Sequence, residues 1–458
     1  MENSRGINKK LKSITWPIFV ESLLFSLLGG LDTIMLGKYS DLAVASVGIA
    51  NQLIWMVNLM FGIITAGTAI LLAQYLGAKT DEEEIVKLCG VSIGVNLIIG
   101  IVISVVVFLI SSQLFIFLKA APELVPIGKS YMKIVGGTIF IQAILMTFTA
   151  ILRSYSLTKI CMSVTLIMNI TNVIFNYTFI FGNFGMPELG VTGAALGTVI
   201  SKIIALVILA HRVYKVILHK FNITLFKPFP KEQLINILKV GVPSAAEQIS
   251  YNLSQLAITS FVNMISIESM SAKSYLTTIV SFAFIFAVSL GQGASILIGQ
   301  FVGNRENDKA YNLCVYCIKA SVVVSLIISL GIVLFRYGIM SMITNNKSII
   351  NIACNVLLIE ILLEPGKAIN IVGINSLRAT GDVKFPVYIG IFSMWTFGVG
   401  IAYILGIKMG LGLIGIWLGF ALDEWFRAIL VLIRWKSRAW EGKSFALSAL
   451  EYKRWDYP

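Results

Sequence analysis

Stretches of about twenty apolar residues recur along the whole chain, separated by short polar breaks. They fall near 14–37, 49–73, 89–118, 131–151, 161–182, 190–210, 238–262, 274–301, 314–338, 352–376, 385–407 and 411–433. About 20 apolar residues rising about 1.5 Å each cross the hydrocarbon core of a bilayer, so each stretch predicts one membrane-spanning helix. The pattern is that of an all-α integral membrane protein with twelve transmembrane helices. Only one hydrophilic break is long enough to be a linker, HRVYKVILHKFNITLFKPFPKEQ at 211–233. It divides the chain into an N-terminal six-helix lobe with the start of the linker, 1–221, and a C-terminal six-helix lobe with a tail, 222–458. The first stretch follows a basic segment, Arg5–Lys12, but is too long for a signal-peptide core and lacks a small-residue cleavage site; it reads as the first span.

The two sets of six are copies of one another. GTAILLAQYLGAK at 67–79 aligns with GASILIGQFVGNR at 293–305 at an offset of 226, pairing Gly67 with Gly293, Gln74 with Gln300 and Gly77 with Gly303. The same offset pairs Pro17 with Pro243 and Glu21 with Glu247, and further on Arg153 meets Arg378 and Gly190 meets Gly412. Self-similarity at a fixed offset is the mark of internal duplication. Six helices per copy give both copies the same orientation, a parallel repeat of the kind secondary transporters use, with a substrate path between halves opened alternately to each side. Gly193/Gly197 and Gly415/Gly419 are small-xxx-small pairs that predict close helix packing.

Composition agrees and adds an orientation. Hydrophobic residues make up 57% and charged residues 13% of the chain, and the mean hydropathy is +0.86, far from the balance of soluble domains. The net charge of +13 does not ask for nucleic acid, because cytoplasmic loops of membrane proteins collect Lys and Arg. With the N-terminus inside, alternate loops hold about 26 Lys/Arg against about 8 on the other side, which predicts both termini and the 211–233 linker in the cytoplasm of a cell-membrane protein. The five cysteines include a CxxC, Cys314 and Cys317, with no second pair or His to complete a metal site. His211 and His219 are placed in the linker, outside any membrane proton relay.

Ionisable groups at mid-membrane cost about 2.5–3.5 kcal/mol on insertion scales, so each asks for a partner or a role. Asp32 stands about five residues, roughly 7–8 Å, from the outer end of the first span. Asn172 and Asn176, spaced i, i+4, form a polar stripe on the fifth span, and Thr198 lies on the sixth. A carboxylate, two amide carbonyls and a hydroxyl supply the several oxygens that a hard cation such as Na⁺ wants. At the 226 offset Asp32 aligns with Ile258, so the scaffold itself does not require a carboxylate there. Glu21 and Glu247 are symmetric, which favours a shared structural role; a locking partner for Asp32 is the structural alternative to ion coupling. On the tenth span Glu360 and Glu364 are an i, i+4 pair expected to meet Lys367. Together with Glu21 and Glu247 they form a candidate secondary polar site. The acidic run Asp81–Glu84 reads as a solvated face. Pro17 has two readings of equal weight, a proline tolerated in the first turn of its helix and one that bends the helix.

The first half reads P-x3-E-x10-D-T-I-M-L-G, then G-T-A-I-L-L-A-Q-Y-L-G-A, L-R-S-Y, and N-Y-T-F-I-F-G…G-V-T-G-A-A-L-G-T-V-I-S. In these motifs the chain resembles the multidrug and toxic compound extrusion (MATE) family over essentially its whole length. The resemblance implies a V-shaped pair of six-helix lobes. It implies efflux of organic, cationic or amphipathic compounds in exchange for Na⁺ or H⁺, with no cofactor beyond the coupling ion and no metal beyond Na⁺ at Asp32. It also implies that Asp32, Asn172, Asn176 and Thr198 match the family's coupling site, and that Pro17 matches a helix-bending proline. One branch carries acidic residues on the seventh and tenth helices, where Tyr251 and Lys367 stand here, so coupling through the first lobe is expected. A monomer in the lipid bilayer is expected. Two alternatives are a lipid-linked precursor flippase of the same superfamily, for which Lys202, Lys319 and Lys367 are the few basic candidates, and an intramembrane enzyme. The enzyme reading lacks facing aspartates (Asp382 lies in a polar loop), GxSxG and HExxH.

Overall fold

The computed structural model describes residues 2–446 and is helical from end to end. The helices are α1 (Glu2–Tyr39), α2 (Asp41–Ala78), α3 (Glu82–Phe117), α4 (Leu124–Tyr131), α5 (Phe140–Ser154), α6 (Thr158–Phe181), α7 (Gly190–Val216), α8 (Lys231–Ile265), α9 (Ile267–Gly303), α10 (Asn307–Leu334), α11 (Arg336–Ile343), α12 (Lys347–Ala379), α13 (Lys384–Ser393) and α14 (Gly412–Lys436). Among the described residues nine helices are long and apolar enough to cross a membrane; α4 with α5, bent by 46° through the wide turns of Met132–Gly136, makes a tenth span. The predicted spans at 238–262 and 411–433 correspond to α8 and α14, which are long enough but carry more polar and charged groups than the other ten. In α14 the charges are internally paired, as described below, which is how an intramembrane charge is tolerated.

Two compact units are present. One comprises the chain up to Leu72 together with Thr80–Gly241; the other comprises Ala73–Lys79 together with the chain from Val242 on. In the first unit α3 shows the inverted logic of a membrane helix. Its small and polar residues, Ser92, Asn96, Gly100 and Ser104, recur every four positions on the buried face, while Ile98, Val102, Val105 and Leu109 are exposed. Lipid solvates the large apolar side chains, and small residues let helices approach and hydrogen-bond. Asn96 Nδ2 donates to Thr147 Oγ1 on α5 at 2.8 Å, and Thr68 Oγ1 on α2 donates to Ser92 Oγ at 2.7 Å. In the second unit α10 repeats the device, with Ser321, Ser325 and Ser329 buried and Val323, Ile327 and Leu330 exposed.

The duplication is visible in the backbone. Lys79 (φ 51°) and Arg305 (φ 60°) are left-handed residues 226 apart, and Ser156 (φ 63°) is matched by Gly381 (φ 96°). In the small-xxx-small pairs, a Cβ on Gly193 would meet the Phe179 backbone and one on Gly415 the Leu405 backbone, so both serve helix packing.

Three sequence expectations change. Pro17 is interior to α1 rather than in its first turn, because the basic segment before the apolar stretch continues the same helix. His211 belongs to α7, which runs on past the apolar stretch; it is exposed, as is His219 in the turn that follows. The acidic run is not merely solvated: Glu82 pairs with Lys220 at 2.5 Å, Gln233 Nε2 donates to Glu84 at 2.6 Å, and the Phe221–Phe226 stack (centroids 4.9 Å apart) sits against Gly90. The linker is therefore clasped to the start of α3. The predicted C-terminal tail begins within α14 and turns beyond it; residues 447–458 lie outside the described residues. All five cysteines are free and buried.

Candidate functional site

Helices α1, α6 and α7 pack side by side in the first unit, and the polar stripe of α6 faces the seam. Its asparagines recur every few residues, so they line one face: Asn169 donates to the Leu24 carbonyl of α1 at 2.8 Å, and Asn172 and Asn176 follow, each 1% exposed. Asn176 Nδ2 donates to Asp32 Oδ1 at 2.8 Å and to Asn172 Oδ1 at 3.1 Å; Asn172 Nδ2 donates in turn to Thr198 Oγ1 at 3.4 Å. The four residues singled out by sequence are thus one connected chain of hydrogen bonds. Asp32 and Thr198 are half-buried.

The chain has a direction. A carboxylate only accepts, so the amide N–H of Asn176 must face Asp32. That turns Asn176 Oδ1 away, where it is buried without a hydrogen-bond partner beside Gly197. An unsatisfied buried acceptor costs about 1–3 kcal/mol. The arrangement gathers oxygens from Asp32, Asn172 and Thr198, with a fourth from Asn176 one amide turn away, the donor set of a hard monovalent cation. Two further residues join it that spacing along one helix does not reveal. Tyr131, buried at the end of α4, neighbours Thr198, and Lys202 lies one turn along α7 from Thr198, on the side of Asp32. A lone tyrosine and a lone lysine inside apolar spans were the available signals.

The candidate secondary polar site does not form one cluster. Glu21 pairs with Arg153 at 2.8 Å and accepts from Thr165 at 3.3 Å, within the first unit. Glu247 makes the equivalent pair with Arg378 at 2.5 Å, within the second. The remaining three line or adjoin a cavity of about 270 Å³ in the second unit. There Glu364 meets Lys367 at 3.0 Å, as expected, but Glu360 does not: its Oε1 accepts from Trp417 Nε1 of α14 at 2.7 Å. Helix spacing sees only neighbours on one helix, and α14 supplies a nearer donor. The same helix brings in Asp423, Glu424 and Arg427, which the candidate set omits. Arg427 binds Asp423 at 2.6 Å and Glu424 at 3.0 Å, and Asn370 donates to Glu424 Oε2 at 2.6 Å. Three charged residues inside an otherwise apolar stretch were the signal.

The comparisons with known proteins match this architecture. The MatE family model matches twice, over 17–178 and 243–404, two segments of equal length offset by 226 residues. The chain is 41% identical over 436 residues to an uncharacterised transporter, YisQ, of Bacillus subtilis, covering 95% of this chain and 96% of that protein. It is 28% identical over 442 residues to a probable multidrug resistance protein, NorM, of Thermotoga maritima, covering 96% and 94%. Among solved structures, the bent form of the Vibrio cholerae MATE transporter VcmN superposes with a TM-score of 0.89 at 17% identity, covering 97% of this chain and all of that one. Duplicated helices, intramembrane polar cluster and family matches agree: the chain belongs to the multidrug and toxic compound extrusion (MATE) family, and it is a multi-pass membrane transporter, not an enzyme.

Proposed function

We propose that this transporter exports organic compounds, cationic or amphipathic, in exchange for inward-moving Na⁺ or H⁺ coupled at Asp32. The observation that carries the reading is the directed chain Asp32–Asn176–Asn172–Thr198. An ionised Asp32 requires the Asn176 N–H. Once a cation occupies the carboxylate, or a proton neutralises it, that requirement disappears, and Asn176 is able to turn its orphaned Oδ1 toward the site as a ligand or acceptor. Ion entry therefore rewrites the contacts joining α1, α6 and α7, and either ion removes the net charge that opposes repacking of these helices. The multidrug names of the NorM relatives support organic substrates.

The flippase reading is not favoured, because its basic candidates do not converge. Lys367 is paired with Glu364 in the second unit, Lys202 lies on α7 in the first, and Lys319 is exposed on α10. The deciding experiment loads everted vesicles with ethidium-accessible DNA reporters and imposes either a Na⁺ gradient or a pH gradient alone. Export driven by one of the two supports the reading. No response to either, from protein of normal abundance, overturns it.

A further inference from the structure

Beyond the Asp32 cluster the polar stripe of α6 continues along its seam with α1. Thr165, Asn169, Asn172 and Asn176 stand four, three and four residues apart, so all four share one face of α6. Each end of the stripe meets an acid of α1. Asn176 Nδ2 donates to Asp32 at 2.8 Å, and Thr165 Oγ1 donates to Glu21 at 3.3 Å. Between them Asn169 Nδ2 donates to the Leu24 carbonyl at 2.8 Å. The two acids are about 16 Å apart along the helix axis. Asn169 is 8% exposed, and its Oδ1, like that of Asn176, is buried without a hydrogen-bond partner. Two orphaned amide oxygens on one seam, about 10 Å apart by helix rise, ask for a ligand.

The scaffold does not require this ladder. Arg153 and Arg378 set an offset of 225 residues for this part of the repeat, which puts Gly390, Met394, Phe397 and Ile401 where the four rungs stand. The structure agrees with that alignment: a Cβ on Gly390 would lie 3.3 Å from Glu247 Oε1, as Thr165 lies beside Glu21. Both halves keep the acid–arginine pair, but only the first has the ladder. Polar groups inside a membrane helix are costly, and apolar residues suffice at these places in the copy. Packing alone does not account for them.

We propose that the α1–α6 seam is a transit path for Na⁺, with Asn169 as a second station between Asp32 and the end of the unit where α6 begins. The proposal rests on the coupling reading and names its ion. An amide oxygen ligates a hard cation but does not hand on a proton from the same atom, so a ladder of amides suits Na⁺ and not a proton relay. On leaving Asp32 the ion exchanges the oxygens of Asn172 and Thr198 for Asn169 Oδ1 and then Thr165 Oγ1, each about one turn further along. At the foot Arg153 already neutralises Glu21 at 2.8 Å, so the ion meets no net charge that would retain it. Tight holding at one end and weak holding at the other is what release needs.

The test follows radioactive Na⁺ on the purified full-length protein, as equilibrium binding in detergent and as ethidium-dependent flux across proteoliposomes. Asn169→Met installs the residue that the other half carries. It should leave equilibrium affinity within about twofold and slow the flux about tenfold, the worth of one polar ligand. Asn169→Gln is as large as Met but keeps an amide oxygen, and should restore most of the flux, which a purely packing role would not allow. Thr165→Val keeps the side chain's shape and should slow the flux about threefold at unchanged affinity; it decides the matter where Asn169→Met fails to fold. Normal flux in these variants overturns the proposal, as does a loss of affinity equal to the loss of flux. An unmodified protein that binds no Na⁺ also overturns it, while leaving H⁺-coupled export standing. Normal flux in Asp32→Asn would instead strike the coupling reading itself.

Discussion

The guanidinium of Arg153 lies 2.8 Å from Glu21 Oε2, and the same bond recurs between Arg378 and Glu247 in the second unit. Each arginine sits at the end of a helix that has already crossed the membrane, and each glutamate follows an interior proline. The repeated pair ties the first helix of each half to the end of the fourth span, or its equivalent. It explains why both acids were retained through the duplication: they are structural partners of the arginines.

Removing one member strands the other. Glu21 is 9% exposed, so Arg153→Met should destabilise the protein by about 2–4 kcal/mol, and Arg378→Met by a similar amount. Thermal unfolding in detergent, followed with a thiol-reactive dye at the buried cysteines, measures this. The double variant Glu21→Gln/Arg153→Met should be no less stable than Arg153→Met alone, because no charge is left unpaired.

Asp32→Asn should abolish gradient-driven efflux while leaving dye binding near normal, since it preserves shape and hydrogen bonding and deletes only the charge. Transport and binding on the same reconstituted preparation decide it; near-normal transport refutes the coupling role. Asn176→Ala removes a neutral ligand worth about 1–1.5 kcal/mol, so apparent cation affinity should fall about tenfold. Gly197→Ala should mimic it while leaving the four side chains of the cluster in place, because the added Cβ collides with Asn176 Oδ1 and displaces that amide.

Orientation has its own test. Glu232→Cys, in the exposed start of α8, should resist an impermeant thiol reagent in intact cells, whereas Met186→Cys, exposed between α6 and α7, should label readily. The native cysteines are buried and give a low background. The reverse pattern would place the basic loops outside.

Gly77 and Gly303 make a reciprocal crossing: a Cβ on Gly77 would strike the Gln300 backbone, and one on Gly303 the Gln74 backbone. Backbone cannot move aside as a side chain can. Gly77→Ala and Gly303→Ala should each cost about 2 kcal/mol or more, read as a lowered Tm of the purified protein.

The sequence made the duplication and the Asp32 cluster legible because both are written in residue identity and spacing. The 226-residue offset needs only alignment, and an acid among apolar residues announces itself. What stayed hidden depends on partners far along the chain. Nothing near Glu360 foretells Trp417, 57 residues away, and nothing near Glu21 foretells Arg153. The short helices α4 and α11 were invisible for another reason: each has eight residues, too few to establish a period. The clasp between the acidic run and the linker escaped because a charged surface stretch looks the same whether it meets water or another loop.

The segment Ala73–Lys79 is made early in synthesis yet packs in the second unit. Its Gln74 donates to the Ala379 carbonyl at 2.7 Å, and its Oε1 accepts from Ser444 Oγ at 3.1 Å and from the Phe445 amide at 2.9 Å, partners up to 371 residues later. A ribosome must therefore finish nearly the whole chain before the tip of α2 finds its place. Contacts of such separation form late and slowly. The two halves, although copies, are not independent folding units. A half-length product would leave the Gln74 amide without these partners, and Ser444 and Phe445 act as the bolt that completes the fold.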